Sequence, residues 1–132
     1  MKKIFLVVVD DNLVSRLLPS FILRSFDLHA QVLECDNGLD ALRLMEIHPV
    51  THALLDISMP RMDGIEVAKK IKANPKLSKI KLIAYTADAT SADVSECHSS
   101  DFDDLLLKPL QRENLLRALA LTEFCALGDA PS

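Results

Sequence analysis

The sequence predicts an α/β domain built on a parallel sheet, and three observations carry that prediction. Apolar runs without polar alternation recur at Ile4-Phe5-Leu6-Val7-Val8-Val9, Ala53-Leu54-Leu55 and Leu105-Leu106-Leu107, the pattern of strands covered on both faces. Segments with helical spacing of apolar residues separate the runs, joined by short connections. The length of 132 residues suits one ordinary domain with a real core and is too short for two.

Taken in order, Ile4 to Val9 reads as a β-branched central strand that ends in Asp10-Asp11. Asn12 is a helix N-cap, and Val14, Leu17, Leu18, Phe21 and Ile22 follow at amphipathic spacing. Pro19 lies inside that pattern and predicts a kinked or shortened helix, because proline removes a ladder hydrogen bond and crowds the carbonyl four residues back. Gln31 to Cys35 is a short strand. Asn37-Gly38 opens a second helix that carries Leu39, Leu42 and Met45 inward and stops before Pro49. The run Ala53 to Leu55 closes on Asp56, and Asp63-Gly64 starts a third helix with Ile65, Ala68 and Ile71 on one face, ending near Asn74-Pro75. Ile80 to Tyr85 is a fourth strand closing on Thr86. A thin apolar pattern from about Ser91 to Ser99 predicts a marginal fourth helix, Leu105 to Leu107 a fifth strand, and the stretch from about Gln111 a final helix burying Leu115, Leu116 and Leu119.

Composition excludes several function classes. Hydrophobic residues make up 49% and charged residues 26%, so the chain is neither disordered nor membrane-inserting, and the run Ile4 to Val9 is too short to span a bilayer. That run meets two aspartates rather than a cleavage site, so a cytoplasmic location is expected. A formal net charge of −4 argues against direct nucleic-acid binding, which needs clustered Lys and Arg. Cys35, Cys97 and Cys125 are odd in number and widely spaced, as reduced thiols are. His48 and His52 have metal-like spacing, but Pro49 between them prevents a shared helical face, and both read as loop residues. Cys97 and His98 read as packing and surface.

The chemistry concentrates elsewhere. Ligands of open α/β sheets bind at the carboxyl ends of the strands, and Asp10, Asp11, Asp56, Thr86 and Lys108 all fall at such ends. Singly, each has an ordinary reading as a turn residue, a local hydrogen-bonder or a solvated lysine. Together they converge on one crevice. Three carboxylates there raise one another's pKa or demand a cation, and an oxygen-only set with few carboxylates suits Mg²⁺ without help from Cys or His. A carboxylate beside such a cation is a nucleophile toward phosphorus, with Lys108 and the Thr86 hydroxyl on hand for phosphoryl oxygens. Asp56 is the reactive group in this reading.

Asp10-Asp11-Asn12, Asp56 with Met59-Pro60 and Asp63-Gly64, Thr86-Ala87 and Lys108-Pro109, in that order, resemble the receiver domain of two-component response regulators. The resemblance spans about residues 3 to 121 and implies a flavodoxin-like, doubly wound five-stranded parallel sheet of order 2-1-3-4-5 with five helices. It implies a receiver domain over 1–121 followed by a short C-terminal tail or linker start over 122–132. Asp56 would take a phosphoryl group from a histidine kinase or a histidine phosphotransfer protein. Mg²⁺ would be held by Asp10, acting mostly through water, with Asp11, Asp56 and the backbone carbonyl of Ser58. Thr86 and Lys108 would contact the phosphoryl oxygens, and the bond from Lys108 to Pro109 is expected to be cis. A downstream protein would read the switch on the face of the fourth helix, fifth strand and fifth helix.

Two positions depart from the family pattern. Leu105 stands where a switch aromatic is usual, which leaves the phosphorylation chemistry intact but weakens the expected readout, and Asp101 stands where Gly commonly turns the chain. Ser58 and Asp88 flank the pocket and are expected to set the lifetime of the phosphate. Tyr85 should point away from Thr86 by strand alternation, as packing or as a partial stand-in for the missing ring. The expected molecule is a signalling domain with self-phosphorylation and slow autodephosphorylation, not an enzyme. The alternatives are a Mg²⁺-dependent phosphohydrolase working through the same aspartyl phosphate, for which Ser58 stands where a second acid is wanted, and a degenerate receiver serving as a constitutive docking module.

Overall fold

A computed structural model describes residues 4–25, 30–57, 64–87 and 102–119. Strands β1 (Ile4–Val9), β2 (Ala30–Cys35), β3 (His52–Asp56), β4 (Lys81–Thr86) and β5 (Asp104–Leu107) alternate with helices α1 (Leu13–Ser25), α2 (Gly38–Ile47) and α3 (Gly64–Ala73), and α4 (Arg112–Ala118) closes the described chain. All strand pairs are parallel, in the order β2-β1-β3-β4-β5. The parallel sheet is the one that the sequence predicts, in the doubly wound order that the family resemblance implies. The expected helix at 91–99 and the tail at 122–132 lie outside the described residues.

Alternation along the strands divides the core in two. Phe5, Val7, Val9, Ala53, Leu55 and Leu82 pack under α2 and α3, against Ala41, Met45, Val67 and Ile71. Ile4, Leu6, Val8, Leu54, Ile83 and Leu106 face the other way, onto Ile22 and Leu23 of α1 and Leu115 and Leu116 of α4. Every residue of β1 is buried, which is why its sequence is apolar without interruption. Two helices start on asparagine caps: Asn12 Oδ1 accepts the Ser15 N–H at 3.0 Å, and Asn37 Oδ1 accepts the Asp40 N–H at 2.9 Å.

Several expectations need correction. Helix α1 runs through Pro19 for 13 residues and is not shortened there. Its buried side is Pro19, Ile22 and Leu23, so Val14 (73% exposed), Leu17 and Phe21 (69%) face outward with Leu13, and only Leu18 of the remaining predicted stripe packs on the core. Leu39 is also exposed, because α2 turns the i, i+3, i+7 set of Gly38, Ala41 and Met45 onto the sheet. His52 begins β3, paired with Leu6 and Lys81, rather than lying in a loop. Strand β4 extends to Thr86, one residue beyond the predicted end, because its ladder with β5 continues to Leu107. Among the described residues no helix is long and apolar enough to cross a membrane.

Candidate functional site

The carboxyl ends of β1, β3, β4 and β5 carry a crevice made almost wholly of charged groups. Pairing with β2 continues one residue past β1, where the Asp10 N–H donates to the Cys35 carbonyl at 3.1 Å. That extension buries Asp10 completely. Its Oδ1 accepts the Asn12 N–H at 2.9 Å in an Asx turn, and its carbonyl accepts Arg16 Nη1 at 2.9 Å, so both ends of the residue are fixed from α1. Asp11, next along, is exposed at the rim. Asp56 ends β3 at 4% exposure. Carboxylate oxygens of Asp10, Asp11 and Asp56 lie within 4.8 Å of one another, so one ion can reach all three.

Lys108 is the cation facing them. Its Nζ lies 2.9 Å from Asp10 Oδ2 and 3.5 Å from Asp56 Oδ2. Asp10 Oδ2 is otherwise without a directed hydrogen bond among the described residues. Against three carboxylates one ammonium leaves an excess of two negative charges, two of the three carboxylates being buried. A hard divalent cation with oxygen ligands fits that donor set and charge. Thr86, buried at the end of β4, has its carbonyl bound by the Lys108 N–H at 2.7 Å, which brings the hydroxyl-bearing residue and the lysine to the same rim. The bond from Lys108 to Pro109 is cis.

Asp10, Asp11, Asp56, Thr86 and Lys108 therefore share one rim, while Ser58, Asp88 and Asp101 lie outside the described residues. Leu105 is half-buried and packs on Ile57, Ile65 and Ala84 together with Phe102, so an aromatic ring three residues upstream adjoins the place where the family carries one. Cys35 is buried, and burial, with the charges of Asp40 and Asp36, pushes its thiol up to about 12, so it stays protonated at neutral pH.

Two contacts escaped the sequence reading. Gly64 opens α3 against the back of β3; a Cβ built there would lie 2.6 Å from the Asp56 carbonyl oxygen, so the lack of a side chain lets the helix seat behind Asp56. The Asp63-Gly64 pair signalled a helix start and nothing about that approach. Tyr85 does point away from Thr86, into the α1 and α4 side of the core, but its ring then lies under Lys108, with Nζ 4.9 Å from the ring centroid.

The model for the response regulator receiver domain matches residues 6–120. Two-component response regulator ORR5 of rice (Oryza sativa) is 34% identical over 112 residues, which span 84% of this chain and 82% of that one. The transcriptional regulatory protein SrrA of Staphylococcus aureus is 35% identical over 118 residues, 88% of this chain but 46% of SrrA. Among solved structures, the receiver domain of a Pseudomonas aeruginosa sensor histidine kinase, with a magnesium ion coordinated in its active-site cleft, superposes with a TM-score of 0.79 at 29% identity, covering 89% of this chain and 95% of that one. The chemotaxis response regulator CheY4 of Vibrio cholerae gives a TM-score of 0.79 at 22% identity over 90% of this chain and 98% of that one, a likeness of fold.

Proposed function

The chain belongs to the response regulator receiver domain family of two-component signalling, and from that premise we propose that Asp56 is its phosphoacceptor. The observation that carries the reading is the single ammonium of Lys108 set between the buried carboxylates of Asp10 and Asp56, with Asp11 at the rim. In the transfer, an oxygen of the Asp56 carboxylate forms a bond to phosphorus as the bond from phosphorus to a donor histidine nitrogen breaks, and the electron pair of that bond stays on the imidazole. Lys108 and the Thr86 hydroxyl offset charge on the phosphoryl oxygens. Asp11, Asp56 and the Ser58 carbonyl, with Asp10 through water, would hold Mg²⁺. When bound, that ion neutralises charge on the transferring group. Later attack of water on phosphorus restores the carboxylate and releases phosphate. We assign the receiver to 1–121, the residues after it to a tail or linker, and the lifetime of the phosphate to Ser58 and Asp88.

For the donor, a histidine kinase or histidine phosphotransfer protein, α1 supplies a surface. Leu13, Leu17 and Phe21 recur at i, i+4 and i+8 and stand exposed with Val14, on the helix whose first turn adjoins Asp11. An apolar helical stripe of this kind suits the side of a partner helix bearing the phosphohistidine. The cytoplasm, where such donors work, is the proposed location, and the output is a change in binding of a downstream protein.

Incubation with Mg²⁺ and phosphoramidate followed by intact-mass measurement tests the assignment. One added phosphoryl group that disappears in Asp56→Asn is the expected result. Phosphate addition that survives Asp56→Asn would refute the assignment of the acceptor, and sustained release of phosphate at enzymatic turnover would favour the phosphohydrolase alternative.

A further inference from the structure

Tyr85 is fully buried, and the chemistry assigned to Asp56 makes no use of it. Its position follows from alternation. Tyr85 pairs with Leu106 across the β4–β5 ladder, both face the α1 and α4 side of the core, and Lys108 lies two residues beyond Leu106, on the same side. The ammonium consequently sits over the face of the Tyr85 ring, 4.9 Å from its centroid, as well as 2.9 Å from Asp10 Oδ2 and 3.5 Å from Asp56 Oδ2.

Packing alone does not ask for tyrosine here. The hydroxyl makes no hydrogen bond of full geometry among the described residues, only a loose approach to the Ser15 side chain, and a phenyl ring would fill the same space without burying a poorly paired polar group. The ring face is the part that meets a charge. An ammonium within about 6 Å of an aromatic centroid is attracted to the ring quadrupole, more strongly when water is excluded, and the Lys108 side chain is only 18% exposed. Lysine otherwise carries its charge on a flexible stem that water solvates readily. Carboxylate attraction changes whenever a cation or a phosphoryl group alters the charge on Asp10 and Asp56. Attraction to an uncharged ring does not.

We propose that Tyr85 is a positioning residue, whose ring holds the Lys108 ammonium at the crevice by a cation–π contact that persists through changes in carboxylate charge. The proposal rests on the phosphoacceptor reading of Asp56, and the test separates the two. In the metal-free protein, NMR of ¹³C-labelled lysine, with Lys108→Arg identifying the resonance, should show the Lys108 ε-methylene protons shifted upfield by the ring current. Tyr85→Phe should keep that shift and the wild-type rate of phosphorylation by phosphoramidate and Mg²⁺. Tyr85→Leu should lose the shift and take up phosphate roughly 3- to 30-fold more slowly, the factor that loss of such a contact implies.

An unshifted Lys108 signal in the wild type overturns the proposal, even if the leucine variant fails to fold. Equal phosphorylation rates for the leucine variant and the wild type overturn it too, as does a phenylalanine variant slowed as much as the leucine one. Failure of the wild type to take up phosphate defeats the phosphoacceptor reading, and the wild-type resonance alone then upholds or overturns the contact.

Discussion

Replacing Gly64 with alanine tests whether the seat of α3 behind Asp56 matters. No glycine among the described residues has positive φ, so the backbone at Gly64 accepts alanine, and intrinsic helix propensity favours the change by up to about 1 kcal/mol. Sterics oppose it. The new Cβ would stand 2.6 Å from the Asp56 carbonyl oxygen, 3.0 Å from its carbonyl carbon and 3.1 Å from Leu55 Cβ, against an ordinary contact of 3.4–4 Å. Two of the three atoms are backbone of a buried strand, so relief requires the helix to move away from β3. A backbone contact this short belongs in the upper part, about 2–3 kcal/mol, of the cost of overpacking, and subtracting a propensity gain of about 1 kcal/mol leaves a net loss of about 1–2 kcal/mol. For a domain of this size that lowers Tm by roughly 3–10 °C. Thermal and urea unfolding followed by circular dichroism measure it, with phosphoramidate kinetics alongside, since the Asp56 backbone is the part displaced. An alanine variant at least as stable as the parent, phosphorylating at the parental rate, would refute the reasoning.

Addition of Mg²⁺ should raise stability by about 2.7 kcal/mol at a concentration of 100 times Kd, chelation should reverse the gain, and Asp11→Asn should reduce it; an unfolding midpoint indifferent to Mg²⁺ would mean that the three carboxylates do not bind the ion. Burial, followed by the charges of Asp10 and Asp56, pushes the Tyr85 phenol up to about 12, and burial does the same for the Cys35 thiol. Both groups keep their protons in the folded chain at pH values where the unfolded chain has lost them, so their contribution is fully present below an unfolded thiol pKa of about 8.5 and is lost as pH rises toward 12. Tyr85 is the sole tyrosine, and its phenolate absorbance should rise together with unfolding; a titration near pH 10 with the fold intact would contradict this. Phe21→Ser, at an exposed position of α1, should leave phosphorylation by phosphoramidate and Tm close to wild type while slowing transfer from a phosphohistidine protein severalfold; equal transfer rates would place the donor elsewhere.

The strands were legible where burial on both faces leaves no polar residue to confuse the pattern, as at β1, and the site was legible because each acidic or basic residue follows such a run. Helix α1 was not. Its apolar residues form two stripes, and the sequence alone does not say which one the sheet covers and which one faces outward. Strand order came from the family resemblance, since pairing between distant segments leaves no local trace. The approach of Gly64 to Asp56 and of Lys108 to Tyr85 depends on packing or register between segments far apart in sequence, so neither could be read from a motif. At Pro19 the shortening that the sequence suggested does not occur, since α1 continues through the buried proline to Ser25.

The hydrogen bond from Arg16 to the Asp10 carbonyl joins helix α1 to the acidic crevice. The first turn of α1 is thereby pinned to the backbone of the innermost acid, so a shift or tilt of that helix is transmitted directly to the carboxylate that Lys108 faces.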